Sequence, residues 1–260
     1  KQPTPLDDFL FDLRGYLRNS HMRLLQHFLL GKPLEVNGQS STGFLLMLTH
    51  SAGGGLRLTG GIDGELARTD LEEVQQGPTT GGSPVANAIR PAGRHYDYAV
   101  DSWMLAPFGE LSLPFAGRWT FVAGARLEHL SYTYDNHMIA GNNDENDAPC
   151  PVPGSCLYNR PADRGDSFTN LAPKASLLVH FTDRQSGYLA LARGFRAPEQ
   201  TELYRLQRQQ SVADLKSEEL DSLELGMRGA GTSLSYSLAA FYMEKRPVSL
   251  RDPSGFNVSD

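Results

Sequence analysis

The chain has 260 residues and a formal net charge of −6, with 24 Lys and Arg against 30 Asp and Glu. A protein that neutralises nucleic-acid phosphates needs a basic surface, so this balance argues against nucleic acid as a partner. Hydrophobic residues make up 40% of the chain, which is too many for wholesale disorder. No apolar run approaches the roughly 18 residues that a membrane-spanning helix needs.

Alternation of apolar and polar residues is the dominant pattern along the chain, and it predicts strands. Side chains alternate across a strand, so each predicted strand has one apolar face and one polar face. Between 117 and 128, for example, Trp119, Phe121 and Leu127 share a face. We predict ten strands, in chain order 8–18, 21–30, 43–50, 55–68, 98–113, 117–135, 168–182, 186–195, 218–229 and 232–245.

The connections between these strands alternate in length. Short turns are predicted at Asn19-Ser20, 51–54, 114–116, 183–185 and 230–231, and long loops at 31–42, 69–97, 136–167, 196–217 and from 246 onward. A transmembrane β-barrel has short turns at one end and long loops at the other, so short and long connections alternate along the chain. A soluble jelly roll or propeller has no reason to keep this alternation. Several strands also reach the ~9–11 residues that a tilted membrane strand requires. We therefore predict an all-β, antiparallel, up-and-down transmembrane β-barrel, with a soluble antiparallel protein as the alternative.

The two cysteines, Cys150 and Cys156, lie in the sequence Cys-Pro-Val-Pro-Gly-Ser-Cys. This spacing does not match a zinc ligand pair, and no His lies between them. Within a loop rich in Pro and Gly we expect a short disulfide, which implies an oxidising compartment. Two free thiols are the alternative.

No motif for catalysis or phosphate binding is present, and the seven His residues are scattered along the chain. We therefore expect no enzymatic activity, no metal site and no resident cofactor. The acidic stretch at 142–147, Asn-Asn-Asp-Glu-Asn-Asp, is expected to be a solvated loop. Oxygen ligands of this kind also suit Ca²⁺, which is the alternative for this loop.

More specific motifs occur between 193 and 228. The chain reads Arg193-Gly194-Phe195-Arg196-Ala197-Pro198, then Glu202-Leu203-Tyr204, then Leu215-Lys216-Ser217-Glu218, and then Leu223-Glu224-Leu225-Gly226-Met227-Arg228. This run resembles the barrel of TonB-dependent outer-membrane receptors, in which a strand ends in Arg-Gly-Phe-Arg-Ala-Pro and Leu-Lys-Pro-Glu leads into a later strand. Ser217 stands where that family has Pro. The resemblance is specific over about 168–245.

The resemblance implies an architecture and a location. Receptors of this kind close a barrel of about 22 strands around an N-terminal plug. On that basis we expect residues 1–260 to be part of a single barrel domain, about ten of its strands. We expect the plug and the C-terminal strands to lie outside this chain. The implied location is the outer membrane of a Gram-negative bacterium, which the barrel crosses many times.

The resemblance also implies a function, that of a receptor importing a ferric siderophore or another iron complex. The implied partners are the energy-transducing TonB–ExbB–ExbD complex, outer-membrane lipid and the small-molecule iron chelate. Receptors for cobalamin, copper, haem or an oligosaccharide are alternatives within the family, and a passive porin-like channel is another. Haem is disfavoured because residues 199–217 contain no His, so that Tyr204 is the only axial ligand type there.

The predicted ligand-binding loop is 196–217. Tyr204, Arg205 and Arg208 are expected to face the external vestibule, where Arg can clamp carboxylates or catecholates and Tyr can stack on a flat ligand. A solvated loop is the alternative, since most loop residues carry no function. The polar strand faces are expected to line the lumen and hold the plug, through Arg126, Glu128, Lys174, Glu224 and Arg228.

Overall fold

A computed structural model of the chain describes residues 8–151, 155–208, 210, 215–231, 234–246, 249–251 and 257–259. The strands are β1 (Phe9–Leu25), β2 (Leu34–Ser51), β3 (Arg57–Gln75), β4 (Gly93–Phe115), β5 (Trp119–Asn136), β6 (Tyr158–Asn159), β7 (Arg164–Thr182), β8 (Gln185–Arg196), β9 (Leu206–Gln207), β10 (Glu218–Ala230), β11 (Ser235–Arg246), β12 (Ser249–Arg251) and β13 (Asn257–Ser259). The helical segments are α1 (Pro84–Ala88), α2 (Gln200–Tyr204) and a 3-10 turn at Gly53–Gly55. No helix in these ranges is long and apolar enough to cross a membrane.

Nine of the strands form one sheet, in the order β1-β2-β3-β4-β5-β7-β8-β10-β11. Every neighbouring pair is antiparallel, and each long strand pairs with the long strands before and after it in the chain. The sheet is open, because β1 and β11 stand at the two ends of this order. Two short sheets pair β6 with β9 and β12 with β13. The predicted all-β, antiparallel, up-and-down class is confirmed.

The predicted turn at Asn19-Ser20 and the predicted loop at 31–42 are wrong. β1 runs without interruption through both turn residues, and β2 already covers most of the predicted loop. Asn19 pairs with Ser40 on β2, and its side-chain amide donates a hydrogen bond to Ser40 Oγ at 2.8 Å. The sheet therefore contains nine long strands among the described residues, where the sequence predicts ten, because polar residues here prolong a strand.

Short and long connections alternate along the nine strands, as predicted. The short connections are 52–56, 116–118, 183–184 and 231–234, and all of them lie at one end of the sheet. The longer connections lie at the opposite end, at 26–33, 76–92, 137–163 and 197–217. We call these the short-turn end and the long-loop end.

One face of the sheet is apolar and uncovered. Leu66 on β3 is 60% exposed and Leu127 on β5 is 46% exposed. Trp119 and Phe121 lie on the same face of β5 as Leu127, as the alternation predicts. Extended apolar surfaces of this kind are rare on soluble monomers, whereas a lipid-facing sheet requires one.

This outer face changes from apolar to charged toward the long-loop end. On β3 it carries Leu58 and Leu66, and then Arg68, Asp70 and Glu72. The apolar interval from Leu58 to Leu66 matches the ~9–11 residues that a tilted strand needs to cross the hydrocarbon of a bilayer. We infer that the strands continue beyond the membrane into water at the long-loop end.

The opposite, inner face of the sheet is polar and ion-paired. Arg126 Nη2 lies 3.1 Å from a carboxylate oxygen of Asp63 and 3.1 Å from one of Glu128. Lys174 Nζ lies 2.5 Å from Glu110 Oε2. Charged side chains therefore neutralise one another along this face. A role of these residues in holding a plug stays a prediction.

Candidate functional site

The connections at the long-loop end are joined to one another by backbone hydrogen bonds. In the pairing of β6 with β9, Tyr158 is opposite Gln207 and Asn159 is opposite Leu206. The amide of Leu157 donates to the carbonyl of Ile89 at 2.8 Å, which adds the connection 76–92. Three of the long connections thus form one folded unit over the inner face of the sheet.

An aromatic core holds this unit against the strand ends. Helix α2 buries Leu203 and Tyr204, and the Tyr204 ring stacks on Tyr134 with 4.4 Å between the ring centroids. Tyr96 donates its hydroxyl hydrogen to the carbonyl of Leu206 at 2.5 Å. The buried members of the core are Leu71, Tyr96, Tyr98, Val100, Tyr132, Tyr134, Tyr158, Leu203 and Tyr204.

Two tyrosines of the loops have perturbed acidity. Burial, reinforced by a hydrogen bond of 2.8 Å from the Tyr204 hydroxyl to the Asp166 carboxylate, raises the pKa of Tyr204 above its usual value of about 10. Burial raises the pKa of Tyr158 as well. Both phenols are therefore neutral at physiological pH and act as packing and hydrogen-bonding groups.

The Phe-Arg-Ala-Pro motif shapes the start of the connection 197–217. Arg196 Nε lies 2.8 Å from the Glu218 carboxylate on β10, and Nη2 lies 3.0 Å from Glu202. Glu199 and Glu202 form a capping box at the N-terminus of α2, which satisfies backbone amides that the helix leaves free. The motif residues in this segment thus tie the strand end to the helix.

Arg205 lies between two buried carboxylates at the strand ends. Its Nη2 lies 2.7 Å from Glu35 Oε2 on β2 and also contacts the carboxylate of Glu73 on β3. His95 Nδ1 lies 2.9 Å from Glu73 Oε1, while its Nε2 donates to the carbonyl of Pro91 at 2.9 Å. We call Glu35, Glu73, His95 and Arg205 the glutamate–arginine cluster. It anchors the connection 197–217 to the sheet.

The burial of Arg205 is consistent with that role. Coulombic attraction by Glu73 and Glu35 outweighs the desolvation of its guanidinium, so the pKa of Arg205 is raised. Its side chain is 26% exposed, and those of Glu35 and Glu73 are 7% and 3% exposed. The three charges therefore depend on one another in a poorly solvated environment.

The three predicted ligand-binding residues have different surroundings. Tyr204 is buried, so the expectation that its ring faces an open vestibule is wrong; the ring packs on Tyr134 instead. Arg205 is engaged by the two glutamates. Arg208 is half-buried, and within the described ranges its side chain has no hydrogen bond or ion pair. Contact of any of the three with a ligand stays a prediction.

Arg160 is a structural residue that the sequence analysis missed. Its buried guanidinium donates to the carbonyl oxygens of Ile139 at 2.9 Å, His95 at 3.2 Å, Asn143 at 2.9 Å and Asp144 at 3.2 Å. It therefore fixes the fold of the connection 137–163. No signal in the sequence distinguishes it from the other arginines, because most of its acceptors are backbone carbonyls and the Asn143 side chain is the one side-chain acceptor among the described residues.

The acidic stretch at 142–147 forms hydrogen-bonded turns. Asp144 Oδ1 accepts the backbone N–H of Asn146 and that of Ala148, each at 2.8 Å. In the part of the chain that the structure describes, no group of three or more His, Cys, Asp or Glu residues could hold a metal ion. Cys150 and Cys156 in the same connection are joined by a disulfide, with 4.9 Å between their Cα atoms. Residues 152–154 between them lie outside the described residues.

A cavity of about 690 Å³ opens where the four long connections meet. We call it the loop cavity. Its apolar walls come from the connection 26–33 and from Leu157, and its polar groups come from the strand ends, from Arg90 and from the connection 197–217. The lining residues are Gln26, Phe28, Leu29, Leu30, Glu73, Arg90, Tyr96, Leu157, Tyr158, Thr201, Glu202, Arg205 and Gln207. The volume is in the range of small-molecule sites, and seven of the thirteen lining residues are polar or charged.

Known proteins share this architecture. The chain is 25% identical to the ferric aerobactin receptor of Klebsiella pneumoniae over 227 residues, which cover 77% of this chain and 29% of that receptor. The solved structure of the copper transporter OprC has a TM-score of 0.66 at 15% identity and covers 92% of this chain and 36% of that one. The ferric yersiniabactin uptake receptor FyuA from Yersinia pestis has a TM-score of 0.56 at 15% identity, covering 96% of this chain and 35% of that one.

The likeness to the solved structures concerns the fold, and this chain spans about a third of the length of each of them. A family model described as TonB dependent receptor-like, beta-barrel matches residues 4–259, which is nearly the whole chain. The chain therefore belongs to the β-barrel family of the TonB-dependent receptors.

Proposed function

We propose that this chain is the ligand-capturing part of an outer-membrane receptor that imports a ferric chelate and performs no enzymatic chemistry. The observation that carries the proposal is the loop cavity, which is built by all four long connections at one end of a sheet with a lipid-type outer face. Such a cavity is suited to bind a solute before it passes along the polar inner face. The family match and the name of the ferric aerobactin receptor support iron as the metal.

Within the loops, we propose that Tyr204 and Arg205 position the binding surface and that Arg208 contacts the ligand. Tyr204 stacks on Tyr134 and Arg205 is paired with Glu35 and Glu73, so both side chains have protein partners. Arg208 comes directly after β9 and is half-buried. A guanidinium in that position can donate hydrogen bonds to ligand oxygens.

Energy for import would come from TonB and its inner-membrane partners ExbB and ExbD. The support for this is family membership. In physical terms, an energised receptor must switch between a state that binds the chelate and a state that releases it. A switch of this kind works only if the chelate has different affinities for the two states.

Copper is the second candidate metal, because the fold of the copper transporter OprC matches this chain with a TM-score of 0.66. The two candidates are separated by uptake measurements in a strain whose gene for the complete protein is deleted. We expect the deletion to lower the accumulation of radioactive iron supplied as a chelate, and the restored gene to recover it. Loss of copper accumulation with unchanged iron accumulation would replace iron by copper.

A further inference from the structure

Arg90 is an unpaired cation in the wall of the loop cavity. Four charged residues line the cavity, and three of them have partners of opposite charge: Glu73 binds Arg205, and Glu202 binds Arg196. Among the described residues, no carboxylate lies within ion-pair distance of Arg90. The hydrogen bond found for its guanidinium runs from Nη1 to the carbonyl of Ala86 at 2.6 Å. Its Nε and Nη2 hydrogens therefore remain for another acceptor.

The backbone of Arg90 is held in place by buried polar side chains. Its carbonyl oxygen accepts the Thr79 hydroxyl hydrogen at 2.7 Å and the Gln75 side-chain amide at 3.4 Å. Its amide donates to the carbonyl of Asn87 at 3.1 Å. The guanidinium itself is restrained by the Nη1 bond to Ala86, so the side chain loses less conformational freedom when a ligand binds than an unrestrained one would, which favours affinity.

The neighbouring walls would make this cation effective once a ligand is bound. Phe28, Leu29 and Leu157 line the same cavity, and Phe28 and Leu29 are exposed, so that an apolar part of a ligand can cover them and displace water near Arg90. Electrostatic attraction is stronger where water is excluded, because the local dielectric constant is lower. Thr201 and Gln207 supply further hydrogen-bonding groups on the side of the connection 197–217.

We propose that Arg90 makes the loop cavity selective for chelates that carry net negative charge, with its free guanidinium hydrogens donated to ionised ligand oxygens. This inference rests on the proposed function and adds to it the chemical class of the ligand. The competing account is purely structural: the contact with Ala86 closes the end of α1, and Arg90 has no other role. The two accounts differ in whether a change at Arg90 depends on the charge of the ligand.

The test uses the complete protein, purified in detergent, and two iron(III) probes that differ in charge. An iron(III) tris-catecholate carries net negative charge, whereas an iron(III) tris-hydroxamate is neutral. We expect the wild type to bind the catecholate more tightly. Arg90→Gln should weaken catecholate binding by about 10-fold to 100-fold, the usual effect of losing a charged hydrogen-bonding pair, and leave hydroxamate binding within about twofold. Arg90→Lys should fall between Arg90→Gln and the wild type.

The matched control is Arg68→Gln, which makes the same charge change at the same end of the sheet. Arg68 lies on the outer face, half-exposed and 2.9 Å from Asp101, so we expect both probes to bind this variant as they bind the wild type. Equal weakening of both probes by Arg90→Gln, or no weakening of either, would overturn the selectivity and leave the receptor function standing. Failure of the wild type to bind any ferric chelate would overturn the proposed function and this inference together.

Discussion

At the scale of single residues, Arg205 anchors the connection 197–217 to the ends of two strands. Both of its carboxylate partners are almost fully buried, and they approach it from two different strands. Removing one partner of a buried ion pair leaves uncompensated charge in a region with little water, which is strongly destabilising. The cluster therefore couples the position of the connection 197–217 to the ends of β2 and β3.

Arg205→Met should release this connection. We expect the free energy of local opening of residues 200–208 to fall by about 3 kcal/mol, the usual cost of breaking a buried pair, which is roughly 100-fold faster amide exchange. Hydrogen exchange followed by mass spectrometry on the detergent-solubilised complete protein measures this. Arg208→Met is the control and should leave exchange nearly unchanged.

A triple variant tests whether uncompensated charge causes the opening. Adding Glu35→Gln and Glu73→Gln to Arg205→Met removes the unpaired negative charges, so at least half of the lost protection should return. If the triple variant exchanges as fast as Arg205→Met alone, uncompensated charge is not the cause of the opening.

Tyr204 gives the loops a defined dependence on alkaline pH. Its pKa is higher in the folded protein than in the unfolded chain, where it is about 10. An acid with a raised pKa stabilises the fold fully below its unfolded pKa and loses that contribution as the pH rises through the folded pKa. The tyrosinate absorbance that Tyr204→Phe removes should therefore be absent at pH 10 and appear only at higher pH. Ionisation of Tyr204 at or below pH 10 would contradict its burial against Asp166.

At the scale of elements, the extent of the apolar outer face determines how well strands can be predicted. Within the apolar interval the alternation of Leu58, Leu66 and their neighbours predicts the strand and its faces correctly. Toward the long-loop end both faces of β1 and β2 carry polar residues, so alternation disappears there and the segment resembles a loop. This is why Asn19-Ser20 was predicted to be a turn and 31–42 a loop, although both belong to long strands.

The candidate site could be located from the sequence but not assembled from it. The Phe-Arg-Ala-Pro motif and the loop after it were identified from local residues alone. The partners of Arg205 were not, because Glu73 is 132 positions away in the chain and is brought close only by the register of the sheet. Arg90 was missed for the same reason, since its significance depends on the cavity that four separate connections form.

Close packing between β8 and β10 makes Gly226 sensitive to substitution. Gly226 is opposite Tyr188, and a Cβ atom at this position would overlap the tyrosine ring, whose hydroxyl is bound by Glu224. Gly226→Ala should therefore destabilise the barrel by about 1–3 kcal/mol through overpacking. The midpoint temperature of heat-induced unfolding, read from mobility on detergent gels, should fall.

Gly194→Ala is the matched control for this prediction, because it lies in the same pair of strands. An added Cβ at Gly194 would meet no atom within 4 Å, so its unfolding midpoint should stay close to that of the wild type. Equal midpoints for the two variants would show that the ring can move aside at no cost.

At the scale of the whole molecule, three parts differ in what surrounds them. They are the apolar outer face, the polar inner face and the folded unit of long connections. The outer face is apolar and exposed, the inner face is stabilised by its own ion pairs, and the unit of long connections by an aromatic core with buried hydrogen bonds. The loop cavity lies at the long-loop end, beyond the apolar interval of the strands. In the proposed receptor, a ligand held there would still have to pass along the inner face, so binding and import would be separate steps.

The proposed function is that of an energised importer of a ferric chelate. Uptake of radioactive iron(III) chelate can be measured in cells that carry the gene for the complete protein, with and without TonB. We expect saturable uptake that is lost without TonB and lost when the proton gradient is collapsed, while binding of the chelate to the cells persists. Uptake that is unchanged without TonB and rises linearly with chelate concentration would identify a passive channel instead.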